Sequence, residues 1–240
     1  MTNYTIVGIN EAVMTRFEFK SGRLAKGWNQ VEAAARLRVS QAHVNRLELG
    51  KRHLTKEMVR RAISVYGLSP EALPTSPGFV PKKVDDQHLT EMLAQLKYPG
   101  FVYLTTRTHK KNPSEFLLTA LAQGSLDPRV AAALPWVALK FAKPDSWLVE
   151  NARKFNLQNK LGFVVTTAKR VANVQNNSRL AELDQLEQAL EESRLAKEDF
   201  LPRPPRTESE REWLRTNRSD DAAHWNLLTR MRPEHLQYVG

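Results

Sequence analysis

Apolar residues recur three and four positions apart along most of the chain, and the intervals between these runs are polar, proline-rich or both. That period predicts helices rather than strands. From Asn29, a plausible N-cap, Ala33, Ala34 and Leu37 fall on one helical face. The small residues at 33 and 34 allow a second helix to pack close. Val39-Ser40 interrupts the pattern, and Ser40 can cap a following helix in which Val44 and Leu47 turn inward. Gln41, Ala42, Asn45 and Arg46 are then left pointing outward.

The proline-rich stretch Ser69–Gly78 ends this first region. Helical spacing resumes near Asp86, with Leu89, Met92, Leu93 and Leu96 on one face, and Tyr98-Pro99-Gly100 stops it. Phe101–Thr105 reads as a short strand or extended link, followed by the basic loop Arg107–Lys111. Three helix starts come next: Asn112-Pro113-Ser114-Glu115, Asp127-Pro128, and Asp145 or Ser146. Asn156 is suited to close the last of these, and Leu157–Val171 makes a further helix. Helices of about ten residues with short polar joints predict an all-α protein.

The last quarter differs in character. Asn173–Ser178 reads as a polar hinge. Leu180, Leu183, Leu186 (or Glu187) and Leu190 form a heptad-like stripe on an acidic helix. The stripe can dimerise, bind a partner or dock on the rest of the chain. Phe200–Pro205 reads as a rigid connector, and Trp213, Leu214, Trp225, Leu227 and Leu228 predict two short helices with bulky anchors. The expected division is a first domain at 1–74, a linker at 75–87, a helical body at 88–172 and an acidic helical arm at 173–240 for dimerisation or partner binding.

Composition narrows the function. With 41% hydrophobic and 26% charged residues, the 240-residue chain is of globular type. It has no cysteine, which excludes disulfides and thiolate chemistry. It has no apolar run long enough for a membrane span, and no signal peptide is evident, so a cytoplasmic protein is expected. The net charge of +10 is unevenly spread. Residues 1–80 hold 12 Lys/Arg and 6 Asp/Glu, residues 81–180 hold 15 and 7, and residues 181–240 hold 9 and 13. A basic body with an acidic end suggests a polyanion partner. No phosphate-binding glycine loop and no HExxH pattern is present, and the six histidines are scattered. No catalytic residue, metal site or cofactor is therefore expected. The pairs Asp85-Asp86 and Asp220-Asp221 read as helix caps.

The outward face of the 41–48 helix carries chemistry suited to base edges. Glutamine and asparagine can pair with adenine, and arginine with guanine, in the major groove. Residues 17–74 resemble the helix-turn-helix domain of the XRE/phage-repressor family. The resemblance rests on Gln30, Ala34, Leu37, Val39-Ser40, Val44, Leu47-Glu48, Gly50 and Lys51-Arg52, with a fourth helix from Thr55 and a close at Tyr66-Gly67-Leu68-Ser69. It implies a five-helix domain in which Gln41, Ala42, Asn45 and Arg46 face bases. Gln30, Ser40, His43, Lys51 and Arg52 would face phosphates or support the base readers. It also implies a homodimer on an inverted repeat. Two positions depart from the pattern. Arg38 replaces the turn glycine and must accept a left-handed or strained backbone. Leu49 replaces the asparagine common before Gly50, which removes one phosphate contact.

The segments YPGFVYL, KKNPSEFLLTAL, LDPRVAAALPWV and WLVENARKFNLQNKLGFVV resemble a bacterial group that joins this N-terminus to a helical body. That body is similar to AbiE-type antitoxins of abortive-infection systems, which implies a nucleotidyltransferase toxin as a partner. The expected function is a sequence-specific repressor acting in a toxin–antitoxin or phage-defence operon. The alternative is a stand-alone repressor whose helical domain senses a small molecule.

Overall fold

Side chains that accept hydrogen bonds from first-turn amides start most of the helices. In the computed structural model, which describes residues 14–76, 78–104, 111–174 and 178–236, the caps are Thr15, Asn29, Ser40, Thr55, Asp85, Asn112, Asp127, Asp145, Thr207 and Ser219. Each satisfies a backbone amide that has no partner inside its helix. Among the described residues the chain is all-α apart from one two-residue parallel strand pair. It divides into two compact units, Met1–Gly78 and Phe79–Gly240.

The first unit holds α1 (Arg16–Ala25), α2 (Gln30–Leu37), α3 (Gln41–Glu48) and α4 (Lys56–Tyr66). Phe19, Leu37, Val44, Leu47, Val59, Ala62 and Ile63 form its core. Five helices were expected. Among the described residues there are four, followed by a single 3-10 turn at Pro70–Ala72. Leu73 already has extended backbone, and Pro74 offers no amide to continue a helix.

The second unit holds α5 (Asp86–Gln95), α6 (Pro113–Leu121), α7 (Pro128–Phe141), α8 (Ser146–Lys154), α9 (Gln158–Val174) and α10 (Leu180–Glu191). Then come β1 (Asp199–Phe200), α11 (Glu208–Asn217), α12 (Asp220–His224) and β2 (Leu227–Leu228). Helix α9 is the central element and packs on α6, α7, α8, α10 and α12. Its Leu161, Phe163, Val164, Val165 and Ala168 are all buried, and so are the polar Gln158, Asn159, Lys160, Thr166 and Thr167, so it is enclosed on nearly every side.

Several expectations change here. The segment 173–240 is not a separate arm. Leu183, Leu186 and Leu190 of α10 are fully buried in the same core as α7 and α9, so the leucine stripe is covered within the chain. Lys169 holds Asp184 and Glu187 across the α9–α10 contact. Part of the expected linker is core as well, because Phe79 is buried against Trp147 and Phe155. Phe101, expected to begin a short strand or extended link, instead ends a 3-10 turn that starts at Pro99, and Leu227–Leu228 is a strand rather than helix. Ser219 caps α12, and Asp220 and Asp221 occupy its first turn. Thr105 and most of the expected basic loop, residues 107–110, lie outside the described residues, as do 175–177 of the expected hinge.

Trp225 closes the second unit. It is fully buried beside Gly162 of α9, where a Cβ would run into the indole ring. Its Nε1 donates to Thr166 Oγ1 at 2.8 Å. The β1–β2 pairing, Asp199 with Leu227 and Phe200 with Leu228, fixes the strands on either side of this anchor.

Candidate nucleic-acid interface

The joint between α2 and α3 is three residues long. Arg38 ends α2 in the left-handed region (φ 55°, ψ 48°), as the sequence required of it. Arg61 Nη1 donates to the Leu37 carbonyl at 2.8 Å, which satisfies one terminal acceptor of α2. Ser40 then accepts from the His43 amide and starts α3. Short, doubly capped and closed over a shared core, this joint fixes the crossing of the two helices.

One edge of α3 is available to a ligand. Gln41, Ala42 and Arg46 are exposed, and Asn45 is half-buried. Val44, Leu47 and Glu48 point into the unit. Glu48 is a charge on an otherwise apolar face, and the fold supplies its partner. Arg23 of α1 donates to it through Nε at 2.6 Å and Nη2 at 3.0 Å, a bidentate pair. Arg23 Nη1 also donates to the Trp28 carbonyl at 2.6 Å. Burial pushes the Glu48 carboxyl up, but hydrogen bonds from Arg23 and Gln30, and the charges of Arg23 and Lys20, hold it below its ordinary value. The hydrogen bond to Glu48 raises Arg23 in turn. Burial beside this pair pushes the Tyr66 hydroxyl up to about 12.

The ion pair extends outward as a relay. Gln30 donates through Nε2 to Glu48 Oε2 at 2.9 Å, and its Oε1 accepts from Gln41 Nε2 at 2.8 Å. Gln41 is therefore held at the exposed edge by a chain of contacts that ends in the core. Gln30 acts in this chain as a support for Gln41. Lys51 and Arg52 are exposed just past α3, and their amides donate to the Arg46 carbonyl. His43 is half-buried, and burial with the nearby Arg52 and Arg46 charges lowers its pKa.

The described positions thus bring Gln41, Ala42, Asn45, Arg46, Lys51 and Arg52 to one end of the unit around α3. Residues 19–73 match the helix-turn-helix family. The match lies wholly within the first unit and ends at Leu73, one residue past the 3-10 turn. The AbiE-type resemblance of the body gains no support from it. No curated protein matches the chain, and no solved structure does.

The sequence did not disclose Arg23. Its partner lies 25 positions away, and only the placement of Glu48 at the i+4 position from Val44, on the buried face, signalled that a cation was needed. Among the described residues there is no cluster of His, Asp and Glu that could hold a metal ion, and no helix is long and apolar enough to cross a membrane.

Proposed function

We propose that the chain is a transcriptional regulator that reads double-stranded DNA with α3. The observation that carries this reading is the Arg23–Glu48–Gln30–Gln41 relay, which pre-positions a polar side chain at the exposed edge of a helix within a helix-turn-helix domain. A rotamer fixed before binding loses less entropy on binding. In this reading Gln41, Ala42, Asn45 and Arg46 contact base edges in the major groove. Ser40, His43, Lys51 and Arg52 contact phosphates, which position the helix without reading sequence. A single helix of this length reads few base pairs, so two copies act on an inverted repeat.

Selection from a random duplex library, with the full chain at physiological salt, tests the proposal. The expected result is one enriched motif with two equivalent half-sites separated by one turn of DNA. Recovery of a library no different from the input would refute it.

A further inference from the structure

A cavity of about 320 Å³ opens in the second unit between the start of α7, the segment after β1, α11 and the segment after β2. Its wall is apolar: Ala131, Ala132, Leu201, Leu214, Leu228 and Met231 all line it. The volume lies at the small end of the range in which proteins hold small ligands, roughly 300–1,000 Å³. It is too small for a partner helix.

Three observations give the cavity a polar end of one sign. Thr229 is 2% exposed and lines the cavity. Its hydroxyl oxygen accepts from the Met231 amide at 3.0 Å, which leaves the hydroxyl proton to donate. Arg230 lies over the Trp213 ring at 4.5 Å; its charge reaches Glu210, but no hydrogen bond or salt bridge joins its guanidinium to another described residue. A guanidinium stacked on an indole keeps its planar edge of donors free for a carboxylate. Glu210, the one acid among the described residues that line the cavity, is already engaged. It accepts from the Arg206 amide at 2.7 Å and pairs with Arg203 at 3.6 Å. The lining therefore holds two guanidiniums against one occupied carboxylate.

We infer that this cavity binds a compact amphipathic acid, with its apolar body against Leu201, Leu214 and Leu228 and its carboxylate on Arg230. The apolar wall excludes a highly charged ligand such as a nucleotide, and the surplus guanidinium disfavours an amine. The site is independent of the DNA-binding reading, and its test involves no DNA.

Calorimetric titration of the full chain with octanoate, 3-phenylpropionate and indole-3-acetate, and with 1-octanol as the uncharged counterpart, decides the matter. At least one acid should saturate a single site, and 1-octanol should bind roughly tenfold more weakly than octanoate. Arg230→Gln, an exposed position, should weaken the acids by about the same factor without changing the unfolding midpoint. Ala132→Phe should fill the cavity and abolish binding. Three results would each overturn the inference: no saturation by any of the acids, equal binding of octanoate and 1-octanol, or undiminished binding in Arg230→Gln.

Discussion

Arg46 and Arg23 are both arginines of the first unit, and their surroundings assign them opposite work. Arg46 is exposed on α3 and carries the specificity in the proposed reading. Arg46→Ala should cost about 1–3 kcal/mol of DNA affinity and relax preference at one base pair, measured by competition among single-base variants of the selected site. Arg23 is buried and holds Glu48. Arg23→Met leaves that carboxylate buried without its cation, and should destabilise the helix-turn-helix unit by about 3–5 kcal/mol in denaturant titrations. The same pair has a pH signature. The Glu48 carboxyl is held below its ordinary value in the folded chain, so its contribution is present above the ordinary carboxylate range. It is lost as pH falls through the lowered value, and the variant should show a flatter acid limb. In the second unit Gly162 is fixed by close approach to Trp225. Gly162→Ala should cost about 1–3 kcal/mol, followed by tryptophan fluorescence on unfolding.

The helices were legible where the signals are local. Asn29, Ser40, Thr55, Asp85, Asn112, Asp127 and Asp145 announce their helices because a cap acts on amides two or three residues ahead. Arg38 was legible by another route: it stands where the helix-turn-helix pattern has a glycine, so its backbone was expected in the left-handed region. Arg38→Gly removes the steric cost of the left-handed region and should stabilise the first unit by about 1 kcal/mol, read as a shift in denaturation midpoint with α3 otherwise unchanged. The strands at 199–200 and 227–228 were not legible. Two residues carry no period, and their pairing depends on Trp225 being anchored on α9 from a position 59 residues away from Thr166. The leucine stripe of α10 announced a helix with a buried face, but a stripe does not say what buries it.

At the scale of the whole molecule, charge looks different once it is placed. The acidic end was expected to dimerise, bind a partner or dock on the basic body. It meets that body within the second unit, through Lys169 with Asp184 and Glu187, Arg170 with Asp221 and Arg153 with Glu192. Three of the fifteen basic residues of 81–180 are answered in this way, and on the first unit Arg46, Lys51 and Arg52 are exposed. Salt should therefore weaken DNA binding through the first unit, with a log–log slope that becomes shallower by about 1 for each of Lys51→Ala and Arg52→Ala. Binding to all sequences should fall alike in these two variants. The seating of Trp225 against Gly162 has a consequence for how the protein is made. The first unit can close as soon as Gly78 is clear of the ribosome, but α9 waits for an anchor that follows Gly162 by 63 positions. At roughly 5–20 residues per second, that delay is on the order of ten seconds. For that interval the nascent chain presents the apolar flank of α9 to solvent, and it is there that a chaperone has something to hold.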